Sequence, residues 1–326
     1  MQRAGPPPRG SVALITTERF RTDHNDHLRT FVYGNLYTVS KLFKVSVTGG
    51  TYKHLVKIIE RNPDDKEMDL IEQDTRIRWS SKIDINHWRK VVLSGLDKKK
   101  PGIRGMIEVG YSLVEGKLGG ILHFVDWSDM NAKADTAVLW REANVHNIPI
   151  ALDTYTAETF VQKWCERFND PSNAQEMLEV TSQKSSRPLR GIKRCSNVVA
   201  LIAHDNKKLD LCRFAVENSD KLFKYDWILA TGTTGRWLND FMAAMGHTKK
   251  ELKKIRPGNS GPYGGDVQIA YAVTTGLCQT VFFFQDPQVS HPHDADIRLF
   301  EQATVSVVPR ARLATNTAAA RLLLGT

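Results

Sequence analysis

Cysteine is scarce in this chain. Only Cys165, Cys195, Cys212 and Cys278 occur in 326 residues, too few for a disulfide framework and without metal-type pairing. The reducing cytosol is therefore the expected compartment. Long apolar runs are missing too: none approaches the roughly 20 residues that cross a bilayer. Residues 1–10 lack an apolar signal core and, rich in proline and glycine, read as a flexible tail. No aromatic motif of the RNA-binding kind interleaves with the basic residues. The net charge of +9 is spread out, apart from Lys98-Lys99-Lys100 and residues 187–194. A small phosphorylated ligand accounts for that excess as well as nucleic acid does, and no nucleic-acid partner is expected.

What is present is an ordinary globular composition, 41% hydrophobic and 25% charged, in a chain long enough for two domains. The chain also repeats itself. Val12-Ala-Leu-Ile15, a helix-like stretch, Lys41-Leu-Phe-Lys44, Val45-Ser-Val47 and Thr48-Gly-Gly-Thr51 follow one another. Later come Val198-Val-Ala-Leu-Ile202, a helix-like stretch, Lys221-Leu-Phe-Lys224, Trp227-Ile-Leu-Ala230 and Thr231-Gly-Thr-Thr-Gly235. Gly105 and Gly265, Tyr111 and Tyr271, and Asp126 and Asp286 then pair at a constant offset of 160. Similarity on that scale means two copies of one domain rather than a solenoid. Strands alternate with helices in each, which implies two repeated Rossmann-like, three-layer α/β domains with mainly parallel sheets. The expected boundaries are 11–168 for the first copy, 169–194 for a linker and 195–326 for the second copy. Within the first copy, residues 62–100 read as an inserted surface excursion with its own short helices.

Polar groups gather where the strands of the second copy should end, the usual ligand side of such sheets. His204, Asp205 and Lys208 follow the first strand; Thr231, Gly232, Thr233 and Thr234 follow the second. The run 258–266, Gly-Asn-Ser-Gly-Pro-Tyr-Gly-Gly-Asp, brings Ser260, Gly261 and Asp266 to the start of a helix pattern. A glycine-rich turn at a helix N-terminus suits an anion. Asp286 ends a further strand, with His291, His293, Asp294 and Asp296 beyond it. Their spacing is too generic to indicate a metal.

Taken together, Val199-Ala-Leu-Ile-Ala-His-Asp205, Ala230-Thr-Gly-Thr-Thr-Gly235, Ser260-Gly-Pro-Tyr-Gly-Gly-Asp266, Asp286-Pro287, Pro292-His-Asp-Ala-Asp296 and Ala314-Thr-Asn316 resemble the methylglyoxal synthase family across residues 197–320. The resemblance implies a lyase that turns dihydroxyacetone phosphate into methylglyoxal and inorganic phosphate without metal, nucleotide or redox cofactor. It implies Asp266 as catalytic base and His293 as the contact to the substrate's oxygens. It further implies Asp286 and Asp296 as supporting carboxylates, and His204, Lys208, Thr231 to Thr234, Ser260 and Gly261 as the substrate and phosphate grip. Asp205 accompanies His204 in the same motif. Tyr263 and the segment 307–313 depart from the family's usual residues.

The first copy reads as degenerate. Met106 stands in place of Asp266, Lys133 of His293, Thr136 of Asp296, Thr17 of His204 and Glu18 of Asp205. A thioether cannot remove a proton, so only the second copy is expected to catalyse. The resemblance implies homo-hexamers, which a two-copy chain would build as a trimer of pseudo-dimers. The competing reading is a non-catalytic, phosphometabolite-binding regulator of the same fold. Against it stands the full set Asp266, His293, Asp296 and His204.

Overall fold

The computed structural model describes residues 10–76, 84–126, 128, 130–169, 188–286, 288, 294–306 and 311–325. The tail 1–9 and most of the expected linker, 170–187, lie outside these, and so do His291 and His293. The chain divides into two compact units, Met1–Gln183 and Lys184–Thr326.

In the first unit the order is β1 (Ser11–Thr16), α1 (Glu18–Asp23), α2 (Asn25–Leu42), β2 (Lys44–Val47), α3 (Gly49–Glu60), α4 (Asp65–Arg76), α5 (Ile85–Gly95), β3 (Leu96–Lys98), α6 (Ile103–Val114), β4 (Leu118–Phe124), α7 (Met130–Val145), β5 (Ile150–Ala151) and α8 (Thr154–Asn169). In the second it is β6 (Val198–Ala203), α9 (Lys208–Glu217), α10 (Ser219–Leu222), β7 (Trp227–Ala230), α11 (Gly232–Ala244), α12 (Lys249–Leu252), β8 (Ile255–Pro257), α13 (Gly265–Thr274), β9 (Thr280–Phe284), α14 (Asp294–Ser306), β10 (Arg312–Ala314) and α15 (Thr317–Leu324).

Each unit holds one five-stranded sheet, ordered β3-β2-β1-β4-β5 and β10-β9-β6-β7-β8, with every pairing parallel. Read from the edges, the two orders are the same topology, two repeated Rossmann-like α/β domains. The central strands are continuous apolar runs because both faces are covered. Strand alternation divides them: Val12, Leu14, Leu122 and Phe124 enter one core with α2 and α3 residues. Ala13, Ile15 and Ile121 enter the other, with Met106, Val109 and Leu139. In the second unit Val199, Leu201, Phe282 and Phe284 pack against Leu211, Phe214, Leu238 and Met242.

The described parts of residues 62–100, 62–76 and 84–100, are not a surface excursion. Ile71 of α4 and Trp88 and Val92 of α5 are buried in the main core with Tyr33 and Ile58. Asp74 is buried as well, accepting from the backbone N–H groups of Tyr37 (3.0 Å) and Thr38 (3.4 Å) of α2. The last residues of the segment form β3, whose position in the sheet matches that of β8. The charged Asp-Lys-Glu and Trp-Arg-Lys stretches hid this, because only one face of each helix is apolar.

The described end of the expected linker, residues 188–194, is fastened to the second unit. Arg256 donates to the carbonyls of Pro188 (3.4 Å) and Arg190 (2.6 Å) while its guanidinium stacks over Trp227 (4.6 Å). No described helix is long and apolar enough to cross a membrane.

Candidate active site

In both sheets the strand order reverses between the first and fourth strands, and the crevice at such a switch point is where ligands bind. In the second unit that crevice lies beyond β6 and β9. His204 leaves β6 there, donating its backbone N–H to Phe284 O (3.1 Å). Its Nδ1 accepts the backbone N–H of Asp286 (2.8 Å). An accepting Nδ1 means a neutral ring with its hydrogen on Nε2. The imidazole stands edge-on to Phe283 at 5.0 Å and is only 9% exposed. Asp286 is braced in turn: Asn206 Nδ2 donates to one carboxylate oxygen (2.9 Å) and the Gln288 N–H to the other (3.0 Å). The Asn206 bond, then the Gln288 bond, hold this carboxyl below the ordinary range.

Lys208 opens α9, buried to 9% exposure, with its ammonium on the carboxylate of Asp205. One strand over, Thr231 caps α11 in extended backbone geometry, and its hydroxyl donates to Thr234 Oγ1 (3.1 Å), a fully buried side chain. Gly232 N–H donates to Asn259 O (2.7 Å), so the protein itself takes that donor. A Cβ at Gly232 would stand 2.8 Å from Ser260 N and 2.9 Å from Gly258 O. The Thr231 turn and the glycine loop therefore touch backbone to backbone. Thr233 is half-buried beside them.

The loop is built for that contact. Gly258 N–H bonds Ala230 O (2.7 Å), and Gly264 adopts φ 84°, a conformation L side chains rarely take. A Cβ at Gly265 would collide with Asn259 O. Ser260 and Gly261, both half-buried, form the turn into the helix; Ser260 O accepts from Gly265 N (3.0 Å). Asp266 then falls in the first turn of α13, 2% exposed. Gln268, two residues on and fully buried, accepts the Asn259 N–H (2.8 Å) and ties loop to helix.

The structure thus brings His204, Asp286, Lys208, Thr231 to Thr234, Ser260, Gly261 and Asp266 to one rim, while Asp205 points its carboxylate outward, 88% exposed. His293 lies outside the described residues. Asp296 lies within α14, but its side chain is not described. Among the described residues no cluster of three His, Cys, Asp or Glu could hold a metal.

The methylglyoxal synthase of Clostridium botulinum (strain Alaska E43 / Type E3) is 39% identical over 127 residues, 39% of this chain and 96% of that protein. The chain belongs to the methylglyoxal synthase family. The Vibrio cholerae serotype O1 (strain ATCC 39541 / Classical Ogawa 395 / O395) synthase is 39% identical over 126 residues, 38% of this chain and 75% of that protein. That of Hahella chejuensis (strain KCTC 2396) is 43% identical over 114 residues, 35% and 68% of the two. The crystal structure of methylglyoxal synthase from Elizabethkingia anophelis NUHP1 aligns at 30% identity and TM-score 0.33, over 40% of this chain and 78% of that one; the strand order above, not that score, carries the fold. No family model matches.

Each match is about as long as one copy, and the first copy keeps several backbone arrangements of the second while differing at its polar positions. Gly105 again allows no Cβ, against Lys100 O, and Glu108 takes the Lys100 N–H (3.2 Å) as Gln268 takes that of Asn259. Asp126 N–H donates to Thr17 Oγ1 (3.1 Å), the bond that His204 Nδ1 accepts in the second copy. Ser128 N–H closes the same turn on Asp126 (2.8 Å) that Gln288 closes on Asp286. At the place of Asp266, however, Met106 is buried among Ala13, Ile15 and Val109. Arg21, four residues past Thr17 as Lys208 is past His204, donates to Thr16 O (2.8 Å).

Gln268 and Asn206 escaped the reading of the sequence. The repeat offered a signal for the first, since Glu108 precedes Gln268 by the same 160 residues. Nothing in the sequence marks Asn206.

Proposed function

We propose that the second copy converts dihydroxyacetone phosphate to methylglyoxal and inorganic phosphate. One observation carries this reading above the others. The buried Asp266 opens the helix that follows the glycine loop, and that loop's backbone packs against the Thr231–Gly232 turn, which supports reading the two as one cradle for base and phosphate.

Asp266 takes a proton from the hydroxymethyl carbon beside the ketone, and the C–H electron pair becomes the double bond of an enediolate. A carboxylate in a dry cleft is a serviceable base for this step. The neutral ring of His204, with hydrogen on Nε2, is of the right type to steady the enediolate oxygen. His293 takes a similar part by its place in the motif, with Asp296 in support. The former hydroxymethyl oxygen then gives up its proton and closes the aldehyde C=O, the C=C pair shifts to join the middle and phosphate-bearing carbons, and the C–O bond to phosphate breaks with its pair leaving on phosphate. The enol left behind takes a proton at its terminal carbon, which becomes the methyl group, and releases its hydroxyl proton as the middle carbon becomes the ketone.

Expulsion needs the C–O bond to lie out of the enediolate plane, so the phosphate grip sets that torsion. Lys208, the hydroxyls of Thr231, Thr233, Thr234 and Ser260, and the N–H groups of Thr233 and Thr234 are suitable holders. Gly232 and Gly261 contribute closeness of backbone rather than side chain. Asp286 steadies His204, and Asp205 steadies Lys208.

The purified chain incubated with dihydroxyacetone phosphate should release phosphate and methylglyoxal in equal amounts, far above the spontaneous rate. Release of neither, or of phosphate alone, overturns the reading.

A further inference from the structure

Asp266 and the Thr231 turn belong to different helices, α13 and α11, and the glycine loop fixes one against the other. Asn259 is where that loop is pinned. Toward α11, Asn259 O accepts the Gly232 N–H (2.7 Å), and the neighbouring Gly258 N–H donates to Ala230 O (2.7 Å). Toward α13, the Asn259 N–H donates to Gln268 Oε1 (2.8 Å), two residues beyond Asp266. The Asn259 side-chain amide donates to Tyr263 O (2.9 Å), within the loop. Gln268 is wholly buried, and a Cβ at Gly258 would stand 2.6 Å from its Oε1, so the loop lies directly on this side chain. One residue, Asn259, thus joins Gln268 on the helix of the proposed base to Gly232 on the helix of the proposed phosphate grip.

The first copy shows the same bonds beside no base. Lys100 stands at the place of Asn259: its carbonyl accepts the Gly49 N–H (3.2 Å) and its N–H donates to Glu108 Oε2 (3.2 Å). Met106 precedes Glu108 by two residues, as Asp266 precedes Gln268. The second copy keeps the acceptor oxygen but on a neutral amide, which adds no charge beside Asp266. We propose that Gln268 is a positioning residue of the second copy: acting through Asn259, it sets Asp266 against the phosphate grip. The inference rests on reading the second copy as a methylglyoxal-forming lyase. Removal of the Gln268 bond leaves both main-chain bonds on the α11 side in place. The grip then stays where it is while the base loses its register, so the cost falls on proton removal rather than on substrate binding.

Steady-state kinetics of the full chain test this with Gln268→Met, which is close to glutamine in length but lacks the amide oxygen. Its kcat for methylglyoxal formation should fall about 10- to 100-fold, while KM for dihydroxyacetone phosphate and the dissociation constant for inorganic phosphate stay within about threefold of wild type. Gln268→Glu restores an acceptor oxygen of the kind Glu108 supplies and should lie between Gln268→Met and wild type in kcat. Gly232→Ala strains the contact on the other side of Asn259. The double variant Gly232→Ala/Gln268→Met should therefore lose less kcat/KM than the product of the single losses. A wild-type kcat in Gln268→Met, a loss carried by KM or phosphate binding, a Gln268→Glu no faster than Gln268→Met, or strictly multiplicative losses would each overturn the inference and leave the lyase reading standing. A wild type that forms no methylglyoxal overturns that reading, and this inference with it.

Discussion

His204 is positioned by one hydrogen bond that also decides its protonation. Because Nδ1 accepts from Asp286 N–H, the ring can donate only through Nε2 and is neutral while that bond holds. Gly232 shows the same economy on the main chain: its N–H goes to Asn259 O, and its missing side chain lets the two loops meet. Replacing it with alanine puts a Cβ within 2.9 Å of backbone atoms on both sides, none of them the yielding end of a side chain. Overpacking of that kind costs about 1–3 kcal/mol. Gly232→Ala should therefore melt several degrees lower and bind dihydroxyacetone phosphate more weakly; an unchanged melt and KM would show that the loops are not held together there.

Elements carry their own pH dependence, and two in the first unit pull in opposite directions. His123 in β4 is fully buried, which lowers its pKa to about 4. The unfolded chain, with an ordinary histidine near 6.5, binds a proton between those values when the folded one does not. Stability from this group is thus full above pH ~6.5 and falls as pH drops toward 4, by about 1.4 kcal/mol per unit. Asp74 in α4 is the reverse case. Burial raises it to about 7, against bonds from Thr38 and Tyr37 that favour the charge. Its contribution is full below the ordinary value of about 3.9 and is lost as pH rises through 7. The two slopes oppose one another between pH ~4 and ~6.5. His123→Phe, which installs the residue found at the equivalent Phe283, should leave stability falling with pH in that window. Asp74→Asn should leave it rising. Thermal melts of the first unit across that range check both, and parallel profiles for all three proteins would refute the assignment.

The same elements show what a sequence can and cannot disclose. Apolar runs such as 198–203 announced buried parallel strands, and the recurring Thr-Gly turns placed their carboxyl ends. The 160-residue offset made the duplication visible and, through Met106, told the two copies apart. Residues 62–100 misled because α4 and α5 carry charge on one side and core residues such as Trp88 on the other. Burial of Asp74 depends on backbone N–H groups of a different helix, for which composition holds no sign. Gln268 is marked only by the repeat, through Glu108, because its partner is a main-chain N–H nine residues away.

At the scale of the molecule, one framework has been kept twice, and the proposed chemistry belongs to the second copy. Loop packing at Gly105 and Gly265, the Asp126 and Asp286 turns, and the strand order persist in both units. Only the second sets a carboxylate on the glycine loop. The most direct test is the rate of methylglyoxal formation from dihydroxyacetone phosphate by Asp266→Asn beside Met106→Leu, a volume-conserving change at the matching place. Asp266→Asn should lose about 10²–10⁴-fold in kcat, the usual worth of a general base, while Met106→Leu keeps the wild-type rate. Full activity in Asp266→Asn, or its loss in Met106→Leu with the fold intact, would contradict the account.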